Sequence, residues 1–200
     1  MRKISIIIAV FMLIPFVCSA EPVTPPEAET LANRVIELLA NQDAEAVARL
    51  MHYPPGYTAK EREDDIAGVR TSINFLLLRF GEVSQVKREN GPIVFFEIGC
   101  AGGDLPYWQS LSPLKTLNLI YLARFSNLGV GVIKICIFRH ENVSKAEIQS
   151  VWFGLPASRA DAKSEIASAM KDMMRLKGKP LPPNIDEILD QNLRPEKHNI

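Results

Sequence analysis

The spacing of apolar residues changes at Gly81, from a helical repeat to the alternation typical of β-strands. Before this glycine, apolar side chains recur every three or four residues, as in Ile66, Val69 and Ile73. After it, they fill short runs such as "PIVFFEIGC", "TLNLIYLARF" and "VGVIKICIFR". Helices followed by strands predict an α+β chain, with the helices covering one face of an antiparallel sheet.

Three helices are predicted before Gly81. The first begins at "TPPE", residues 24–27, where the threonine and glutamate have capping-box spacing and Pro25 suits the first helical position. Asp43 can cap a short second helix, which "HYPPGY" ends. A second capping box, Thr58–Glu61, opens the long third helix, and Gly81 suits its end.

The strands are predicted to form a meander, because "SNLG" between two of them is a hairpin signal. A fourth helix is predicted from about Ser158, which can cap it, to Lys177. Its apolar residues form one stripe. After Gly178 the chain becomes rich in proline, so residues 179–200 are predicted to be a tail with one or two helical turns.

Residues 1–20 have the pattern of a cleaved secretory signal. Two basic residues precede an apolar run, Ile4–Val17, and the small residues of "CSA" end at Ala20. The run is too short to span a membrane, and the bulky Val17 before Cys18 argues against a lipoprotein. We therefore expect cleavage after Ala20 and an exported protein, periplasmic or secreted, with no integral membrane segment.

The rest of the chain is long enough for one domain with its own core. Residues 21–178 are expected to form that α+β domain, followed by the tail. The whole chain carries 23 basic and 23 acidic residues. This balance gives no excess of positive charge that would attract nucleic acid, so a nucleic-acid partner is not expected.

One stretch and the order of the elements resemble a known superfamily. The chain resembles the nuclear-transport-factor-two and ketosteroid-isomerase superfamily over about Glu27–Pro156. The resemblance rests on the stretch "ETLANRVIELLANQDAEAVARLMHYP", on a long helix ending in "RFGEVSQV" and on the strands that follow. The resemblance implies a cone, in which three N-terminal helices pack on a curved antiparallel sheet; the fourth helix and the tail are additions. Members include isomerases, hydratases, cyclases, ligand binders and dimerisation modules, so the fold implies no single activity.

The stretch "EIGCAGGDLPYW" is the strongest local motif, yet it matches no known chemistry. A phosphate-binding loop needs a helix after its glycines, and "DLPYWQSLSPLK" is a poor helix. A nucleophilic Cys100 would need a base, and His52, His140 and His198 lie in no recognisable context. We interpret the glycines as the end of a strand and a turn. Metal-ligand spacing is also absent from the sequence, and no metal or other cofactor is expected.

One acid is a catalytic candidate. Glu97 lies inside the apolar strand "IVFFEIG", and the superfamily's isomerases use carboxylates with a tyrosine in an apolar cone. No catalytic role is carried over, because the residues align with no motif position of the family. Four tyrosines could line a ligand pocket: Tyr53, Tyr57, Tyr107 and Tyr121.

Strand alternation assigns side chains to the two faces of the sheet. Ile133, Ile135 and Ile137 are expected under the helices, with Leu119, Tyr121, Ala123, Val94, Phe96 and Ile98. The opposite face would carry Val130 and Val132, interrupted by Glu97, Arg124 and Lys134, and five residues predicted to form an interface: Ile93, Phe95, Ile120, Leu122 and Phe138. Either the fourth helix or a second molecule would cover that face.

The state of the two remaining cysteines stays open at this point. Two cysteines in an exported chain favour a disulfide. The strand alternation opposes it, because it directs Cys100 and Cys136 to opposite faces, with a strand between theirs.

Two functions are consistent with the sequence. The first is an exported, non-catalytic binding or accessory module for a protein partner, a second copy of the chain or a small apolar ligand. The alternative is a small isomerase-like or hydratase-like enzyme using Glu97 and a tyrosine. The strands contain few convergent polar residues, which favours the first function.

Overall fold

The computed structural model describes residues 25–102, 116–139 and 145–198. These residues form five helices: α1 (Pro25–Ala40), α2 (Ala44–Leu50), α3 (Ala59–Phe80), α4 (Ala162–Leu176) and α5 (Ile185–Asn192). They also form six strands: β1 (Val83–Arg88), β2 (Ile93–Ala101), β3 (Thr116–Phe125), β4 (Gly129–Phe138), β5 (Glu147–Pro156) and β6 (Glu196–His198). The predicted α+β class with an antiparallel sheet is confirmed. None of these helices is long and apolar enough to cross a membrane.

The sheet is antiparallel throughout, in the order β1-β3-β4-β5-β2-β6. The predicted meander is right for β3, β4 and β5. It is wrong for β2, which pairs with β5 from Phe95 to Ala101. The polar β1 lies at the edge, where exposed and half-buried side chains are tolerated. The apolar β2 needs neighbours over most of its length, and this favours a position inside the sheet.

The first four helices all cover one face of the sheet, which we call the helix face. Their buried side chains join those of β2, β3, β4 and β5 in a single core. Three aromatic rings lie at its centre, with Phe80 of α3 packed 5.1 Å from Phe125 and 5.6 Å from Phe153 between ring centroids. The long α3 is therefore fixed to the sheet by its apolar side.

The helix ends predicted for α2 and α3 are confirmed. Asp43 accepts a hydrogen bond from the Ala46 amide at 3.0 Å. Thr58 and Glu61 form both halves of the capping box at the start of α3. Gly81 ends α3 with a φ of 92°, and a Cβ there would lie 2.2 Å from Ser126 Oγ, so only glycine fits.

The start of α1 is tied to the sheet. Glu27 forms an ion pair with Arg139, which follows β4, and accepts a hydrogen bond from the Ala146 amide at 2.8 Å. Thr24, the predicted cap, lies outside the described residues. The carboxylate of Glu27 therefore joins the first turn of α1 to the chain on both sides of the β4–β5 connection.

The predicted start of α4 at Ser158 is wrong by four residues, since the helix begins at Ala162. The guanidinium of Arg159 binds the Asp161 carboxylate and the Leu128 carbonyl, which holds this segment in a turn. The apolar stripe of α4 packs in the core of the helix face. The fourth helix therefore does not cover the opposite face.

The opposite face, which we call the far face, has its own small core. The assignment of residues to the two faces is right for most positions, because Phe95, Ile120 and Val132 form a second buried cluster with Ile93 and Leu122 packed against it. It is wrong for Val94, which was expected under the helices but is 40 % exposed and belongs to neither core. Three of the five residues predicted for an interface are at most 1 % exposed within the single chain: Phe95, Ile120 and Phe138. Val130, on the same face, is 57 % exposed.

A pair of substitutions tests this second core. Ile120→Asp places a carboxylate among buried side chains, whereas Val130→Asp on the neighbouring strand places one in solvent. We expect the first to lower the free energy of unfolding by about 3 kcal/mol or more, and the second by less than about 0.5 kcal/mol. Urea unfolding followed by circular dichroism measures both. Similar losses in the two variants would contradict the burial of Ile120.

Candidate functional site

A cleft of about 820 Å³ lies between α3, the end of β2, the start of β5 and the end of α4. This volume is within the usual range for small-molecule sites. Its lining comprises Asp65, Ala67, Gly68, Val69, Thr71, Ser72, Gly99, Cys100, Ala101, Gln149, Ser150, Trp152, Leu176 and Lys177. We refer to it as the α3–β2 cleft.

Small side chains on α3 keep the cleft open. A Cβ built on Gly68 would meet no atom within 4 Å, so this glycine faces free space. The hydroxyls of Thr71 and Ser72 donate to the backbone carbonyls of Ala67 and Gly68, at 2.8 and 3.0 Å. These hydroxyls are thus paired within the helix.

The glycines of "EIGCAGG" allow close packing at the end of β2. A Cβ on Gly99 would lie 2.5 Å from Trp152 Cδ2, and one on Gly102 would lie 2.2 Å from the His52 carbonyl oxygen. The strand ends at Ala101, as the sequence predicts. Gly103 lies outside the described residues. The two described glycines thus have structural roles at the cleft.

Cys100 lines the cleft but is not poised as a nucleophile. Its thiol is buried and lies 3.8 Å from the Val151 carbonyl, to which it donates. Burial raises the pKa of Cys100 to about 12, although the charge of Lys177 opposes the shift. At neutral pH the sulfur stays protonated, and a thiol reacts far more slowly than a thiolate.

The disulfide left open by the sequence is absent, because Cys100 and Cys136 are both free. Cys100 belongs to the core of the helix face, while Cys136 lies on the far face. The strand β5 separates them, since Val151 is opposite Cys100 and Ser150 is opposite Cys136. Burial also raises the pKa of Cys136, although a hydrogen bond with Ser150 lowers it.

A buried ion pair crosses the far face behind the cleft. Lys134 of β4 binds Glu97 of β2, and their side chains are only 6 % and 8 % exposed. The strand β5 runs between them and presents Gly154 opposite Glu97. Because this position has no side chain, the long lysine can reach across β5 to the carboxylate.

Trp152 lies on the far face with this ion pair and is also among the residues that line the cleft. The Lys134 ammonium lies 4.7 Å from the centroid of the indole ring, within the range of a cation–π contact. The indole Nε1 donates to Ser150 Oγ at 2.8 Å, and the ring also packs over Gly99. Three contacts therefore fix the orientation of this aromatic wall.

The tyrosines proposed to line a pocket are not brought together. Tyr53 is buried in the core of the helix face, and its hydroxyl donates to the Ala48 carbonyl at 2.7 Å. Tyr121 lies on the same face, with the Arg88 guanidinium 5.9 Å from its ring centroid. Burial raises the pKa of both phenols.

The other two tyrosines lie elsewhere. Tyr57 lines a shallow cleft of about 380 Å³ with Glu61, Asp64 and Asp65. Tyr107 falls outside the described residues. Because Glu97 is on the far face, the sheet separates it from Tyr53 and Tyr121. The structure thus joins Glu97 to Lys134 and Trp152, a grouping that the sequence analysis missed.

A second polar pair was also missed. His52, after α2, has its Nδ1 2.5 Å from a carboxylate oxygen of Glu147, at the start of β5. The edge of its ring packs on Phe138, 5.1 Å away between centroids. No sequence signal relates these distant residues. Within the described ranges, histidines, cysteines and acids form no group of three that could hold a metal ion.

The chain matches no known protein-family model, and neither the curated proteins nor the solved structures include a significant match to it. Functional inference therefore rests on the geometry of the cleft and of the ion pair behind it.

The ion pair can be tested by removing one charge. Lys134→Met keeps the length of the side chain but leaves the Glu97 carboxylate without this cation. We expect a loss of about 3 kcal/mol in the free energy of unfolding and a shift in tryptophan emission, since the ammonium also contacts Trp152. The double variant Lys134→Met/Glu97→Leu should recover much of the stability, because it buries no charge. Equal stability of the wild type and the single variant would contradict this view.

Proposed function

We propose that the protein is an exported, non-catalytic binding module that holds a small, largely apolar ligand in the α3–β2 cleft. The observation that carries this proposal is a cleft of about 820 Å³ whose lining spans both faces of the sheet at the end of β2, with α3 and Cys100 on the helix face and Trp152, held in place by three contacts, on the far face. A preorganised wall lowers the entropy lost on binding. Export, to the periplasm or the medium, is supported by the signal pattern of residues 1–20.

The lining indicates the chemistry of the ligand. Gly68 and Leu176 offer an apolar surface on the side of the helices, and Trp152 adds an aromatic one on the far face. Asp65 and Lys177 lie at the cleft with opposite charges, and Gln149 adds an amide. A ligand with an aromatic or aliphatic body and one charged or polar end fits this combination.

Several contacts favour binding over catalysis. The carboxylate of Glu97 is paired with Lys134 rather than directed at the cleft. The thiol of Cys100 is held protonated by burial. An isomerase-like reaction would need an acid and a tyrosine acting on one substrate, and the sheet lies between Glu97 and the buried Tyr53 and Tyr121.

We also propose the finer, cone-like form of the fold. Three N-terminal helices precede the sheet, and buried residues of α3, from Ile66 to its end at Phe80, join its core. A sheet curved around α3 would account for this long contact. The proposal retains the resemblance to the nuclear-transport-factor-two and ketosteroid-isomerase superfamily as a statement about shape only.

A protein partner or a second copy on the far face is a second candidate. One observation favours it: next to the buried cluster, Val130 is 57 % exposed and Ile93 and Leu122 are half-buried. Only this strip, rather than the whole predicted interface, would be accessible. Loss of self-association in Val130→Asp, measured by sedimentation velocity, would support it.

The cleft can be filled from one position. Gly68→Leu projects a large side chain into the free space of the cleft. Gly68→Ala also removes the glycine from the helix, but its methyl group fills almost none of that space. Both should fold, and the alanine should stabilise α3 by about 0.5–1 kcal/mol. With 8-anilinonaphthalene-1-sulfonate as the probe, we expect saturable binding to the wild type and to Gly68→Ala, and at least tenfold weaker binding to Gly68→Leu.

Dye fluorescence and isothermal titration calorimetry provide the affinity and the stoichiometry, and circular dichroism confirms that each variant is folded. A single binding site that is lost only in Gly68→Leu would support the cleft as the place where the dye binds. Equal affinity in all three proteins, or no binding to any of them, would refute it as the site for this class of ligand.

A further inference from the structure

The C-terminal segment, residues 179–198, runs from the end of α4 to the edge of the sheet, and we call it the C-terminal strap. It is held by three kinds of contact. Its strand β6 pairs with Ile93–Phe95 of β2, two ion pairs join α5 to α4, and Leu189 and Leu193 are buried. The ion pairs are Lys163–Asp190 and Lys171–Asp186.

The strand pairing and the ion pairs are weak, whereas Leu193 packs in the core of the helix face. The strand pairing covers three residues. The carboxylates of Asp186 and Asp190 are 82 % and 79 % exposed, and ion pairs between exposed groups add little stability. A cleft of about 270 Å³ also remains between α4 and α5. Few buried contacts and exposed polar attachments are typical of segments that open locally.

The strap can leave without unwinding α4. Gly178 ends that helix with a φ of 66°, and the amides of Gly178 and Lys179 donate to the carbonyls of Arg175 and Met174, at 2.9 and 3.0 Å. The hydrogen bonds that end α4 therefore involve no residue beyond Lys179, and they do not depend on the rest of the strap. The prolines that follow, at positions 180, 182 and 183, stiffen the connection, which ends in a turn where the Ile185 amide donates to the Pro182 carbonyl at 3.0 Å.

We propose that the C-terminal strap exchanges between two copies of the chain, so that β6 of each copy pairs with β2 of the other. An open strap leaves the Ile93–Phe95 edge without its strand, and such an edge accepts another strand. The strap of a second copy makes the same contacts as the original, which is why swapping of this kind has a low cost. With the turn at residues 183–184 opened, the connection 179–184 spans about 19 Å at about 3.1 Å per residue, enough to cross to a neighbouring molecule.

The test uses the full chain in two isotopic forms, mixed at high and low concentration and followed by native mass spectrometry. We expect mixed dimers whose fraction rises with concentration. Charge reversal at the strap, Lys163→Glu/Lys171→Glu, should speed both the formation of mixed dimers and the hydrogen exchange of the Ile93–Phe95 amides by about tenfold. Lys60→Glu is the matched control, because it breaks an exposed Lys–Asp pair within α3, away from the strap.

Mixed dimers that form at the same rate in the strap variant and in the control overturn the exchange, because another surface then joins the two copies. Mixed dimers that form faster in the strap variant than in the control support the exchange. A chain that stays monomeric at all concentrations overturns it. Faster hydrogen exchange without mixed dimers overturns it as well, because the strap then opens without passing between molecules. None of these results depends on the ligand proposed for the α3–β2 cleft.

Discussion

The antiparallel pairing of β2 with β5 determines most of what is distinctive in this protein. It puts β5 between β2 and β4, so that Glu97 and Lys134 meet across a glycine, Gly154. The same pairing separates Cys100 from Cys136 by one strand and brings the end of β2 to the cleft. It also leaves the outer side of β2 to the C-terminal strap. Had β2 paired with β3, as in a simple meander, none of these groupings would form.

The ion pair and the cleft are parts of one arrangement. A lysine and a glutamate are costly to bury, and their mutual contact offsets that cost without adding much stability. What the pair provides is position, because the ammonium rests against Trp152 and helps to fix the indole on the far face of the sheet. This fits a rigid binding wall better than a catalytic group, which must touch its substrate.

Local features of the fold followed from the sequence, and long-range ones did not. The capping box at Thr58, the stop at Gly81 and the two sheet faces depend on short-range spacing, which a single chain displays. The position of β2 depends on pairing between distant segments, which spacing does not encode. One clue was available: Glu97 and Lys134 are single opposite charges in apolar strands, assigned to the same face. Considering these two charges together would have predicted their contact. The pairing of His52 with Glu147 has no comparable signal in the sequence.

The most direct test of the cleft as the binding site is a map of backbone and indole NMR shifts during titration with 8-anilinonaphthalene-1-sulfonate. Gly68, Gly99 and Trp152 all line the α3–β2 cleft, with Trp152 on the far face of the sheet. We expect the largest shift changes at these three groups, with a common dissociation constant. Changes centred instead on Leu122 and Val130, or scattered without a common constant, would contradict the assignment of the α3–β2 cleft as the ligand site.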